Sequence, residues 1–191
     1  MNSGSIKLVG VGGQGTILAA KVLAGAFIEA GYDVKMSEIH GMSQRGGSVT
    51  TEIRFGPIVH SPVVERGSLD ILVAFELMEA ARYADYLKKD GLLLCNNLRL
   101  DSMLTLTGKM KYPDGIESYL NKHFDVKIFS ASEMAHDLGN AKAMNIIMLG
   151  ALSKYLNSTL DFMTALKNNV KPKYLELNVK AFQLGASLSS S

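Results

Sequence analysis

The run Val-Gly-Val-Gly-Gly-Gln-Gly at residues 9–15 follows an apolar stretch and precedes Ile17, Leu18, Val22, Leu23, Ala26 and Phe27 at helical spacing. A strand, a glycine turn and a helix start in that order commit the opening of the chain to an α/β arrangement. The first-turn amides of a helix carry partial positive charge, and glycine lets an anion or another backbone approach them closely. Gly10, Gly12 and Gly15 also fit G-x-G-x-x-G. Tight packing of a strand on a helix accounts for that spacing as well as a phosphate site does.

Alternating periods continue along the chain. The helix of Gln14 to Ala30 is expected to stop at Gly31, and Val34 to Ser37 is the next expected strand, which makes a parallel, right-handed βαβ unit. Val49, Thr51, Ile53 and Phe55 alternate on one face, and Gly56-Pro57 separates them from Ile58 to Val64, a pair that reads as a hairpin or sheet extension. A strand at Asp70 to Phe75, a helix from about Glu76 to Lys89 and a strand at Leu92 to Cys95 resume the βαβ pattern. Leu100 to Pro113 reads as surface loop. Ile116 to His123 is an expected helix, Val126 to Phe129 a strand, and Ser132 to Gly139 a short helix capped by Ser132. Helices at Ala141 to Leu156, Thr159 to Asn168 and Pro172 to Leu184 complete the pattern. The expected fold is a three-layer, Rossmann-like α/β domain spanning 1–191, with a mostly parallel sheet, helices on both faces and a helical C-terminal segment.

Composition removes several functional classes. Twenty basic against 18 acidic residues, a net charge of +2, give no field suited to nucleic acid. Lys88-Lys89, Lys109 to Lys111 and Lys167 to Lys173 are short clusters that read as solvated helix ends. No apolar run reaches the length of a membrane span, and Met1 to Ser5 lacks the features of a signal peptide, so a cytoplasmic location is expected. A single cysteine, Cys95, cannot hold an iron–sulfur cluster, and it sits where a buried strand is expected. His40, His60, His123 and His136 are scattered without metal-ligand spacing. Redox chemistry in which this chain takes part must therefore draw its metal from another chain.

A second polar loop, Ser37-Glu-Ile-His-Gly-Met-Ser-Gln-Arg-Gly-Gly-Ser48, follows the second expected strand. It lies at the carboxyl end of a parallel strand beside the first glycine turn, where open α/β sheets bind ligands. Arg45 offers a bidentate donor to phosphate or carboxylate, and Gly46-Gly47 permit close backbone approach. Glu38 stands where a dinucleotide fold places its ribose-binding carboxylate, although Gly13-Gln14 and Gln-Arg-Gly-Gly fit that fold poorly.

Together the segments Gly10-Val-Gly-Gly-Gln-Gly15 and Ser37 to Ser48 resemble the gamma-type subunit or domain of 2-oxoacid:ferredoxin oxidoreductases. The form Glu-x-His-Gly-x-x-Gln-Arg-Gly-Gly is closest to the beta subunit of the indolepyruvate branch, whereas pyruvate and 2-oxoglutarate branches more often carry Tyr-Gly-Pro before Arg-Gly-Gly. Asn145 to Gly150, Asn-Ile-Ile-Met-Leu-Gly, resembles the family's later Asn-x-x-x-Leu-Gly helix. The likeness runs over nearly the whole chain.

This resemblance implies one part of a complex that oxidatively decarboxylates an arylpyruvate, passes the acyl group to coenzyme A and reduces ferredoxin. Thiamine diphosphate, magnesium and 4Fe-4S clusters would belong to an alpha-type partner subunit, which agrees with the lone cysteine and the lack of a Gly-Asp-Gly thiamine motif here. In that setting His40, Gln44 and Arg45 become the candidate catalytic residues, Arg45 for an anionic group and the other two for hydrogen bonds. Gly10, Gly12, Gly13, Gln14, Gly15, Thr16, Gly46, Gly47 and Ser48 become the candidates for a cofactor phosphate or the partner's backbone. A metal site is not expected on this chain, and self-association into a homodimer is expected when it is isolated. Alternatives are a gamma subunit of the pyruvate, 2-oxoglutarate or branched-chain 2-oxoacid branch, a free-standing dinucleotide-binding oxidoreductase, and a non-catalytic interaction module.

Overall fold

The computed structural model describes residues 2–41, 47–156 and 158–188. Six strands form one sheet: β1 (Gly4–Val11), β2 (Asp33–His40), β3 (Ser48–Gly56), β4 (Leu69–Ala74), β5 (Leu87–Asn96) and β6 (Asp125–Phe129), in the order β2-β3-β1-β4-β5-β6. β1, β4, β5 and β6 pair in parallel. β3 runs antiparallel to both β1 and β2, so β2 points the same way as β1 without touching it along its length. The helices are α1 (Thr16–Glu29), α2 (Leu77–Tyr83), α3 (Met103–Leu106), α4 (Ile116–His123), α5 (Ala131–Asp137), α6 (Met144–Ser153), α7 (Phe162–Asn169) and α8 (Pro172–Ser187).

Strand alternation sends Ile6 and Leu8 of β1 to one face and Val9 to the other, which creates two cores. The thicker core packs α1 and α5 through α8 against the sheet; Phe27 of α1 stacks on Phe55 of β3 with ring centroids 3.8 Å apart. The thinner core sets α2 and α4 against Val9, Leu72, Leu93 and Cys95. The expected three-layer arrangement is thus present, with one reversed strand in a sheet that otherwise points one way. Lys7, between two apolar neighbours, is also buried: its Nζ lies 2.7 Å from Glu52 Oε1 on the adjoining β3 and over the Tyr86 ring. Cross-strand pairing and the aromatic face compensate the charge that burial would otherwise penalise.

Several local expectations change. The βαβ unit from β1 to β2 has β3 inserted in it, because β3 folds back on β2 as a hairpin and then fills the space beside β1. Residues 58–64, read as a partner for β3, are not a strand. They lie as an irregular segment fastened by Val59 N–H to Asp33 Oδ2 at 2.8 Å and Val64 N–H to Glu52 Oε2 at 3.2 Å. The helix expected to reach Lys89 stops at Tyr83, passes through a 3-10 turn and gives way to β5 at Leu87, since Leu87 and Leu69 pair at the sheet's end. Leu100 to Pro113 contains the single turn α3. Ser130, not Ser132, occupies the cap position of α5; Ser132 bonds to Asn96 instead. Helices α6 and α8 cross where Gly150 meets Gly185, and a Cβ on either would collide with the other helix's backbone.

Candidate functional site

At the carboxyl end of β1 the glycine turn is fixed from three sides. Gln14 Oε1 accepts the Val11 N–H at 2.6 Å while its Nε2 donates to the Phe75 carbonyl at 3.0 Å, so this side chain bolts the turn to the end of β4. The same Gln14 amide and the Phe75 ring fill the space that a Cβ on Gly10 would need. Gly15 serves as the N-cap of α1 with φ +78°, a left-handed conformation that glycine adopts without strain. Its carbonyl accepts Asn145 Nδ2 at 2.9 Å, and a Cβ here would strike that amide. No side chain caps α1 and its first turn holds no acidic residue, which leaves the helix's positive end uncompensated. Thr16, the first helical residue, is buried.

The second loop joins the first through its ends. Gly12 N–H donates to the Gly47 carbonyl at 2.9 Å, and Gly41 N–H donates to the Ser48 carbonyl at 3.0 Å. Both glycine segments therefore meet at one end of the sheet, through the start of β3 beside β1 rather than through an adjoining β2. Gly10, Gly12, Gly13, Gln14, Gly15, Thr16, Gly47 and Ser48 are gathered there. His40 closes β2 opposite Val49. Gln44, Arg45 and Gly46 lie outside the described residues. Ser48 Oγ donates to Glu79 Oε2 at 2.5 Å and lies 3.4 Å from the Tyr83 hydroxyl. Glu79 Oε1 accepts Arg82 Nε at 3.1 Å. Burial lifts the Glu79 carboxyl above its ordinary range; the Ser48 hydroxyl and Arg82 oppose that rise, and Glu76 adds to it.

Sequence reasoning missed the polar supports behind this end of the sheet. Glu76, buried at the start of α2, accepts from Glu79 N–H at 2.9 Å, Leu100 N–H at 3.1 Å and the Tyr112 hydroxyl at 2.6 Å. Burial and that carboxylate push the Tyr112 phenol up, so it stays a donor. Asn96 donates to the Phe75 carbonyl at 3.1 Å, beside the bond from Gln14. No local motif announces Glu76, Glu79 or Asn96: beyond the one-turn contacts within α2, their partners Leu100, Tyr112, Ser48, Phe75 and Ser132 are 21 or more residues away. Asn145 alone carried a signal, in Asn-x-x-x-Leu-Gly. A recess of about 770 Å³ lies at the opposite end of β1, around Ser5, Arg54, His60 and Asp70, and none of the motif residues lines it.

Cys95 is buried, and its thiol is pushed well above its ordinary value chiefly by that burial, so it is no nucleophile. Among the described residues no group of three His, Cys, Asp or Glu could hold a metal ion, and no helix is long and apolar enough to cross a membrane. Glu38 stands on the edge strand, separated from β1 by β3. That adds a strand spacing of roughly 5 Å between it and the glycine turn, against the dinucleotide reading.

Comparison with known proteins decides the family. The profile for pyruvate ferredoxin/flavodoxin oxidoreductases matches residues 5–188. The chain belongs to this family. Among relatives, indolepyruvate oxidoreductase subunit IorB of Thermococcus kodakarensis is 37% identical over 97% of this chain and 95% of its own. The 2-oxoglutarate synthase subunit KorC of Methanothermobacter marburgensis is 30% identical over 96% of this chain and 95% of its own. A solved structure, the gamma subunit of a keto/oxoacid ferredoxin oxidoreductase from Geobacter sulfurreducens, superposes with a TM-score of 0.69 at 26% identity, covering 95% of each chain. The fold is therefore shared over 95% of the chain.

Proposed function

We propose that this chain is the gamma-type subunit of a 2-oxoacid:ferredoxin oxidoreductase whose substrate is indolepyruvate or a related arylpyruvate. The observation that carries this reading is the end-to-end likeness to an indolepyruvate oxidoreductase subunit, 37% identical over 97% of the chain. The geometry supports it: the Gly12–Gly47 and Gly41–Ser48 bonds bring the glycine turn and the two ends of the second loop to one end of the sheet. Among the described residues no group of three His, Cys, Asp or Glu could hold a metal ion, and the one thiol is buried. Thiamine diphosphate, magnesium and 4Fe-4S clusters are assigned to an alpha-type partner, and with them the decarboxylation and the passage of electrons to ferredoxin.

The residues of this chain then act around the partner's reacting centre. Arg45 takes an anionic group of substrate or coenzyme A, and His40 and Gln44 give hydrogen bonds, the roles implied by the family resemblance. The segment Gly10 to Thr16, with Gly46, Gly47 and Ser48, takes a phosphate or the partner's backbone. The start of α1 supports the phosphate reading, since no side chain caps it and no acidic residue stands in its first turn. Gln14 spends its side chain on Val11 and Phe75, so its contribution to ligand is through the shape of the turn. Docking covers this end of the sheet and excludes water. An uncovered docking face accounts for the homodimer expected of the isolated chain, and a cytoplasmic site of action fits a ferredoxin-dependent complex.

Anoxic co-purification tests the reading. Tagged chain should bring down a large iron–sulfur partner, and the eluate should reduce a viologen dye only with both indolepyruvate and coenzyme A. Preference for pyruvate, 2-oxoglutarate or a branched-chain 2-oxoacid would move the chain to another branch. A chain that elutes alone and binds a nicotinamide dinucleotide would overturn the subunit reading.

A further inference from the structure

We propose that Glu79 is a positioning residue, whose carboxylate holds Ser48 and thereby fixes the backbone junction between the glycine turn and the β2–β3 connection. Three bonds meet at this junction. The Gly47 carbonyl receives Gly12 N–H, the Ser48 carbonyl receives Gly41 N–H, and the Ser48 hydroxyl reaches Glu79 across the top of the sheet. The first two are backbone bonds just past the last paired residues of the β1–β3 and β2–β3 ladders, and ladder ends open more easily than ladder centres. The third ties the junction to a helix of the thinner layer. Glu79 is only 4% exposed, one helical turn beyond Glu76, and Glu76 is itself held by Tyr112 and Leu100 N–H while accepting the Glu79 N–H. A rigid path thus runs from the Tyr112 hydroxyl through α2 to Ser48. Burying a carboxylate is costly, and a leucine would fill the same volume without that cost. The carboxylate is best accounted for by what it holds.

For its consequence in turnover this inference rests on the oxidoreductase reading above; for its geometry it does not. Amide hydrogen exchange on the full chain gives the first test. Ser48→Ala and Glu79→Ala should each speed exchange at Gly12 and Gly41 about tenfold, leaving β4 and β5 unchanged, as expected for loss of one local restraint. The double variant should be no faster than either alone. Glu79→Gln keeps an acceptor for Ser48 and should restore slow exchange. Unchanged exchange at Gly12 and Gly41, failure of Glu79→Gln to restore it, or acceleration spread across the whole sheet would each overturn the inference. If Glu79→Ala does not fold, Ser48→Ala and Glu79→Gln still decide it. In the complex assembled with its partner, Ser48→Ala should lower turnover at saturating substrates about tenfold, the scale of a small misplacement near reacting groups. Faster exchange with undiminished turnover would overturn the positioning role. A wild-type complex without activity would instead count against the function reading, and the exchange result would stand by itself.

Discussion

The side-chain amide of Asn145 donates to the carbonyl oxygen of Gly15 at 2.9 Å, linking positions 130 residues apart. Asn145 is 2% exposed, and its Oδ1 also lies 2.8 Å from the Ile146 N–H. The later helix motif and the first glycine motif are therefore two halves of one structure. Replacing Asn145 by alanine should lower stability by about 1–3 kcal/mol, the cost of stranding a buried polar group. Urea unfolding followed by circular dichroism would measure it.

Gln14→Glu should be worse than Gln14→Ala. The Nε2 atom that donates to the Phe75 carbonyl would become a carboxylate oxygen facing an oxygen, while the contact to Val11 N–H would remain. Repulsion added to a lost hydrogen bond is expected to cost about 2–3 kcal/mol. Thermal unfolding of both variants at neutral pH gives the ranking, and a more stable Gln14→Glu would refute the assigned amide orientation.

Gly150→Ala should destabilise the C-terminal helices severely. Its Cβ would meet the Phe182 backbone, and a helix carbonyl cannot move aside as a side-chain tip can. Overpacking of this kind costs about 1–3 kcal/mol or more. Because Gly185 faces the same crossing, the Gly150→Ala/Gly185→Ala pair should cost less than the sum of the singles. Denaturant midpoints of the three variants test that coupling.

Glu79 should leave a signature in pH dependence. The groups that act on it are Ser48 from β3, and Glu76 and Arg82 from its own helix and cap. Burial raises its folded value above the ordinary 4.5, so the folded state holds this proton more tightly than the unfolded chain does. The associated stability is fully present below the unfolded value and is lost as pH rises through the folded one. Glu79→Gln cannot ionise. Measured by urea midpoints, wild type should lose ground to that variant as pH climbs from about 4.5 through that raised value.

The outline of the fold was legible because strands and helices differ in hydrophobic period, and the first glycine turn marked where β1 ends and α1 begins. The place of β3 was not. Val49, Thr51, Ile53 and Phe55 gave its alternation, but alternation carries no information about which neighbour a strand takes or in which direction. The end of α2 was hidden for a related reason: Leu87 to Asp90 has helix-forming residues, and the pairing of Leu87 with Leu69 of β4, followed by a register shift, overrides them. At the candidate site, glycines announced the backbone turns because their geometry is a local demand. Glu79 and Asn96 stayed silent, since their partners Ser48 and Phe75 lie far away along the chain. Gln44 and Arg45, the most informative polar residues of the second loop, fall outside the described residues.

Cys95 gives the protein a built-in reporter. It is the chain's single thiol, fully buried on β5 between β4 and β6 in the thinner core. An alkylating reagent can reach it only when the thinner layer of α2 and α4 opens from the sheet, so the labelling rate under native conditions times that opening without any engineered probe. A partner that binds only the folded chain should slow that clock in proportion to its occupancy. Mass spectrometry of a single adduct would then report assembly of the complex from the inside of one subunit.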